Sequence, residues 1–335
     1  MITKTLLYRC VLVLFAVATS AWDTENHAIA QTTPQVSGTN KPKDGPSISW
    51  VNPPTEKHLP LTPGATHNTF SSRLADQKIG YVIYLPPQYE SHPTMRFPVI
   101  YNLHGNGGNE LTSLNVIELV NEQITSGQIP PLIMVLANGG HSTFYKDSYD
   151  GNFPIESIVI TELIPHIDAT YRTIQSGDAR CIEGFSMGGR GATRLAVKYP
   201  EMFCSLFCQA GNVPRLLDLF DQLTDQEREK HLLGPNRDKW EKDDVYAVTE
   251  SNRSRIKKHL RIQIACGTKD GGHLPTVRDW HNHLVDQGID HTYIELQGLA
   301  HRRTEMIEQL KPIWFDSHVT ALRSSGAFDQ PNAKP

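Results

Sequence analysis

The sequence predicts an α/β fold: one domain built on a mostly parallel sheet with helices on both faces. Three observations predict it. Apolar, β-branched runs alternate with helix-like segments along most of the chain. Several of those runs are apolar without interruption, as strands covered on both faces must be. From Thr66 onward one insertion, and no change of class, interrupts the rhythm.

The elements follow in order. Residues 79–85 are β-branched and aromatic and end at Pro86-Pro87, which predicts a strand. Further strands are expected at 97–103, 132–137, 180–185, 203–209, 260–266 and 291–296. Helices are expected at 111–125, 155–171, 187–199, 274–287 and 302–319. In the second of these, Ile160, Leu163, Ile164 and Ile167 recur at helical spacing. Residues 214–259 are rich in charge and read as a mostly helical insertion between two strands. It either shapes the substrate pocket or forms a solvated surface.

The ends differ in texture. Lys4 and Arg9 precede an apolar run from Cys10 to Ala18, followed by small residues, so residues 1–30 are expected to be a signal peptide. That run is too short to span a bilayer as a helix. Residues 31–65, with Pro34, Pro42, Pro46, Pro53, Pro54, Pro60 and Pro63 among polar residues, read as an extended or disordered linker. The catalytic domain is expected at 66–322 and a flexible tail at 323–335. The expected location is therefore secreted or periplasmic.

Composition narrows the function. With 39% hydrophobic and 20% charged residues, the chain of 335 residues can bury a sizeable core. A net charge of −4 without long blocks of one sign predicts no nucleic-acid partner and no stable membrane insertion. Cys181, Cys204, Cys208 and Cys266 lie in or beside apolar runs. They read as buried free thiols, with one disulfide left open, and no pair has zinc-site spacing.

The chemistry concentrates in Gly184-Phe185-Ser186-Met187-Gly188-Gly189. This is G-x-S-x-G with a strand before it and a helix after it. Such a turn exposes the serine hydroxyl at the C-terminal edge of the sheet. A serine needs a base, and His301, in a Gly-containing loop after the last strand, is the candidate, with His273 as competitor. The base needs a carboxylate, for which Asp270 follows the penultimate strand. Asp279 and Asp290 are the alternatives. The order Ser186, Asp270, His301 matches that of hydrolases with a nucleophile elbow. An oxyanion hole is expected from the N–H groups of Met187 and Asn106, the latter in His104-Gly105-Asn106-Gly107-Gly108. His104 reads as a support for that loop. No metal and no cofactor are expected.

Taken together these motifs resemble the esterase D and feruloyl esterase family, which also contains the mycolyltransferase antigens. The resemblance adds Val82-Ile83-Tyr84-Leu85-Pro86-Pro87-Gln88-Tyr89, Pro98-Val99-Ile100-Tyr101-Asn102-Leu103-His104-Gly105 and Tyr199-Pro200-Glu201-Met202-Phe203. It implies an α/β-hydrolase fold and a Ser–His–Asp triad at Ser186, His301 and Asp270, with Asn106 giving an oxyanion N–H. Asn106 is polar where several relatives are apolar, and Arg302-Arg303 follows His301 where a Trp often comes soon after. The expected function is a secreted serine carboxylic ester hydrolase. Its expected substrates are small or polysaccharide-linked esters, feruloyl or acetyl among them. The alternatives are an acyltransferase to sugar alcohols on the same triad and a non-catalytic binding protein.

Overall fold

The structure is a computed structural model that describes residues 48–329. The expected signal peptide, the first part of the expected linker and the last residues of the tail lie outside the described residues.

Eight strands form one sheet in the order β1-β2-β4-β3-β5-β6-β7-β8. They are β1 (Ala65–Ser72), β2 (Gln77–Tyr84), β3 (Val99–Leu103), β4 (Ile133–Ala137), β5 (Arg180–Phe185), β6 (Ser205–Gln209), β7 (Arg261–Gly267) and β8 (His291–Leu296). The pairs β1/β2 and β2/β4 are antiparallel, and every other pair is parallel. All residues of β3, β4 and β6 are buried. That is why those runs carry no polar alternation: helices cover both faces.

The seven expected strands are present, and β1 is an addition. Its sequence, Ala-Thr-His-Asn-Thr-Phe-Ser-Ser, is largely polar, and it becomes a strand by pairing Ala65 with Tyr84 through Ser72 with Gln77. Two expected helices depart from a single α-helix. Over 155–170 the chain passes through a π-helical stretch, Ile158–Leu163, before Ile164–Thr170. Pro165 lacks an N–H to donate one turn back, and the ladder shifts there. The last expected helix divides into Arg303–Leu310, a 3-10 turn at Lys311–Ile313 and Asp316–Ser324. Pro312 stands at the break.

The described part of the expected linker is docked, not free. The Trp50 carbonyl accepts from Gly80 N–H at 2.6 Å, and the Asn52 N–H donates to Glu110 at 2.7 Å. Ile48, Trp50 and Leu61 pack against the core. Glu110, fully buried, anchors this segment with His67. At the other end, buried Ala327 and a hydrogen bond from Ser325 Oγ to Asp178 hold part of the expected tail.

Residues 214–259 carry the helices Leu216–Gln222, Asp225–Lys230, Arg237–Asp243 and Val245–His259. Leu216, Phe220, Leu233 and Trp240 form a small core among them. Lys239 reaches the Ser148 carbonyl at 3.1 Å, and Asn252 the Val197 carbonyl at 2.9 Å. The insertion thus joins the loop after β4 to the helix Met187–Lys198. Cys181, Cys204, Cys208 and Cys266 are all buried free thiols, with the Cys181 and Cys204 sulfurs 3.7 Å apart. Among the described residues no helix is long and apolar enough to cross a membrane.

Candidate active site

Ser186 stands between β5 and the helix Met187–Lys198, with φ of 58° and ψ of −119°. A non-glycine residue at positive φ is strained, and the neighbours must allow it. Gly188 does so by lacking a side chain. A Cβ there would lie 1.9 Å from the Leu103 carbonyl oxygen, so the helix could not approach β3. The Ser186 N–H donates to the Gln209 carbonyl at 2.8 Å, which ties the turn to β6.

Below the turn, Glu183 in β5 is fully buried. Asn102 Nδ2 donates to it at 2.6 Å and Trp314 Nε1 at 3.2 Å. Trp314 follows the Pro312 break, so the interrupted C-terminal helix supports the strand that carries the serine.

His301 Nε2 lies 2.9 Å from Ser186 Oγ, and His301 Nδ1 lies 2.5 Å from Asp270 Oδ2. The ring stacks on Phe185, centroids 4.6 Å apart. The three residues come from the ends of β5, β7 and β8, brought to one edge because those strands, with β6 between the first two, all run parallel in one sheet. Asp279 instead pairs with Arg215 at 2.9 Å on the helix surface.

His273 has a place that sequence reasoning did not assign. Its Nδ1 lies 2.8 Å from Asp270 Oδ1, and its ring stacks on His301 with centroids 3.9 Å apart and planes 4° from parallel. Asp270 therefore holds one imidazole on each oxygen. Burial pushes this carboxyl up, but the hydrogen bonds from His273 and His301 outweigh it and hold it well below the usual carboxylate range. The only sequence signal was the three-residue spacing from Asp270. The ligand atoms of Asp270, His273 and His301 lie within 4.8 Å of one another. Each histidine turns Nδ1 to the carboxylate, and a nitrogen donating its proton there has no lone pair for an ion.

The loop after β3 meets the same edge. A Cβ on Gly105 would stand 3.6 Å from Ser186 Cβ, so the loop backbone passes close to the serine. The N–H groups of Asn106 and Met187 make no hydrogen bond among the described residues. The Asn106 side chain accepts from Ser142 Oγ at 2.6 Å, and Gly107 N–H donates to the His141 carbonyl at 2.9 Å. His104 supports the loop from beneath. Its Nε2 accepts from Gly139 N–H at 3.0 Å, which leaves Nδ1 to donate to the Gly105 carbonyl at 2.8 Å. Burial pushes this imidazole down to about 4, so it stays neutral. Arg303 lies behind: its Nη1 donates to the Thr112 carbonyl at 3.1 Å, and burial pushes it down to about 10.

Phe144 and Tyr145, in the loop after β4, have φ of 52° and 55°. Buried Tyr145 donates its hydroxyl to the His104 carbonyl at 3.2 Å. No glycine or asparagine marks this strained pair in the sequence. A cavity of about 510 Å³ lined by Asp178, Lys257, Arg261 and His291 opens at the start of β7 and β8, the sheet edge opposite Ser186.

The family model described as "Putative esterase" matches residues 71–314. The chain belongs to this family. An esterase of Mycobacterium tuberculosis is 35% identical over 135 residues, covering 39% of this chain and 29% of its own length. An endo-1,4-beta-xylanase/feruloyl esterase of Xylanibacter ruminicola is 37% identical over 115 residues, covering 32% of this chain and 16% of that one. The chain thus spans under a third of the length of these curated relatives. A solved ferulic acid esterase superposes with a TM-score of 0.64 at 22% identity, covering 77% of this chain and 98% of the other. An S-formylglutathione hydrolase of Agrobacterium tumefaciens gives 0.60 at 20% identity, covering 77% and 95%. At such identity these two structures carry the fold, which is that of α/β-hydrolase esterases. The family match bears out the resemblance read from the motifs of this esterase-family chain.

Proposed function

We propose that the protein is a serine carboxylic ester hydrolase that works through an acyl-enzyme on Ser186. The contact of His301 Nε2 with Ser186 Oγ at 2.9 Å, with Asp270 behind His301 at 2.5 Å, carries this reading. Ser186 Oγ attacks the ester carbonyl while His301 takes its proton. Asp270 orients the imidazole and balances the imidazolium. The tetrahedral oxyanion is held by the N–H groups of Met187 and Asn106, which have no other partner among the described residues. Such donors contribute about 3–4 kcal/mol each to the transition state. His301 then protonates the leaving alcohol. Water, deprotonated by the same imidazole, resolves the acyl-enzyme and returns Ser186 to the free hydroxyl.

Feruloyl or acetyl esters of polysaccharides are the proposed natural substrates, because relatives are named a feruloyl esterase and an acetyl esterase. The basic-then-apolar N-terminus supports export to reach them. The first experiment is hydrolysis of a short-acyl p-nitrophenyl ester by wild type and Ser186→Ala. A loss on the order of 10⁴-fold or more is expected. Equal rates for the two proteins would remove Ser186 from the mechanism.

A further inference from the structure

Three rings stand in a row at the reaction edge. Phe185 lies against one face of His301, with centroids 4.6 Å apart, and His273 against the other, 3.9 Å apart and 4° from parallel. Both imidazoles turn Nδ1 to the carboxylate of Asp270, His273 at 2.8 Å and His301 at 2.5 Å. An ionised carboxylate only accepts, so each Nδ1 carries the proton and each Nε2 keeps a lone pair. The His301 lone pair meets Ser186 Oγ at 2.9 Å. The Nε2 of His273 makes no hydrogen bond among the described residues.

This second acceptor is fixed and within reach. His273 stands at the start of the helix Leu274–Asp286. Its N–H donates to the Asp270 carbonyl at 3.2 Å, and its carbonyl accepts from Val277 N–H at 3.0 Å. The Asp270 side chain is 3% exposed, whereas those of His273 and His301 are 23% and 33% exposed. The inner end of each ring is thus on the carboxylate, and the outer end, which carries Nε2, is the open one. Because the rings are parallel and share one carboxylate, their Nε2 atoms stand side by side, one ring-to-ring step apart.

We propose that His273 Nε2 accepts a hydrogen bond from a hydroxyl next to the ester oxygen, and that the preferred substrates are therefore esters of vicinal diols, as sugars are. His301 must meet the ester oxygen to protonate the departing alcohol. A hydroxyl on the adjacent carbon then falls one step along the row, at His273. On the opposite side it would meet the Phe185 ring, which has no lone pair to offer. Donor and acceptor are both neutral, so the contact buries no charge. This deepens the esterase reading by naming the alcohol half of the substrate, and rests on it for turnover, though not for binding.

The test compares 2-hydroxyethyl butyrate with propyl butyrate, which differ by a hydroxyl in place of a methyl group. The two kcat/KM values are divided by the rates of the same esters with hydroxide ion, which removes their difference in intrinsic reactivity. Wild type is then expected to favour the hydroxyethyl ester about fivefold, the scale of one neutral hydrogen bond. His273→Asn keeps a donor where Nδ1 stands and lacks Nε2, so it should lose this preference while retaining activity on propyl butyrate. His273→Phe should lose the preference and, with the Asp270 donor gone, activity on both esters. A merely structural role would lower both esters alike and leave the ratio as in wild type. An unchanged ratio in a folded His273→Asn protein, or no preference in wild type, would overturn the subsite. If wild type cleaved neither ester, the esterase reading would fall. Calorimetric titration of both esters into Ser186→Ala would then read the subsite alone: tighter binding of the hydroxyethyl ester that disappears on adding His273→Asn supports it, and equal or absent binding overturns it.

Discussion

Gly188 lacks a side chain for a reason that can be measured. Its Cβ position lies 1.9 Å from a β3 carbonyl oxygen, backbone that has no rotamer to move. Gly188→Ala should destabilise the fold by about 3 kcal/mol or more, read from urea unfolding, or prevent folding altogether. A variant as stable as wild type would mean that the helix can retreat from β3. His273 offers a second test at this scale. Its Nδ1 donor holds the Asp270 oxygen that His301 does not use, at 2.8 Å. His273→Phe keeps a stacking ring and removes the donor. We expect kcat/KM to drop about tenfold, the scale lost with an orienting partner, and to recover in part in His273→Asn. Equal activity in the three proteins would make His273 a passive neighbour.

Between elements, Arg194 is the joint. It is 1% exposed and bonds Glu156, Asp243 and the Tyr145 carbonyl, so one guanidinium links the helix after Ser186, the segment after β4 and the insertion. Removing one partner of a buried ion pair leaves the others uncompensated. Arg194→Met should cost about 3–5 kcal/mol, and Glu156→Gln in the same chain should restore part of it. Purely additive losses would show that these groups are not coupled. Element type was largely legible: β2 to β8 and the helix after Ser186 follow from apolar runs and periodicity. What pattern reading missed has local causes. Pro165 and Pro312 interrupt stretches whose apolar spacing continues through them. The polar β1 becomes a strand because β2 offers it an edge.

Over the whole molecule, burial ties stability to pH through histidines held neutral. His104 and His231 are both pushed down to about 4, by burial first, and for His231 then by Lys146 and Arg190. An unfolded chain takes up these protons as pH falls below about 6.5, while the folded one waits until about 4. Stability is therefore complete above that upper value and declines as pH drops through the interval, with a ceiling of about 3 kcal/mol for His104 alone. Asp270 works in the same sense, in a lower window. Its carboxyl is held low, so its contribution is intact throughout this interval and fades only below the ordinary carboxylate value. Urea unfolding at pH 7 and pH 4.5 should show the decline in wild type and a smaller one in His104→Gln. The same slope in both proteins would remove His104 as a source.

By itself the sequence determined the α/β class, most strands and helices, the family resemblance, and Ser186, His301 and Asp270 as the residues to examine. These are legible because they are local: periodicity fixes element type, and the G-x-S-x-G turn needs its glycines next to the serine. Tertiary structure alone decided which groups share a carboxylate. It set His273 on Asp270, docked Trp50 at the sheet and placed Trp314 under Glu183. Those relations join residues from different strands, loops and helices. No spacing along the chain encodes them, because burial and charge balance are properties of the packed molecule.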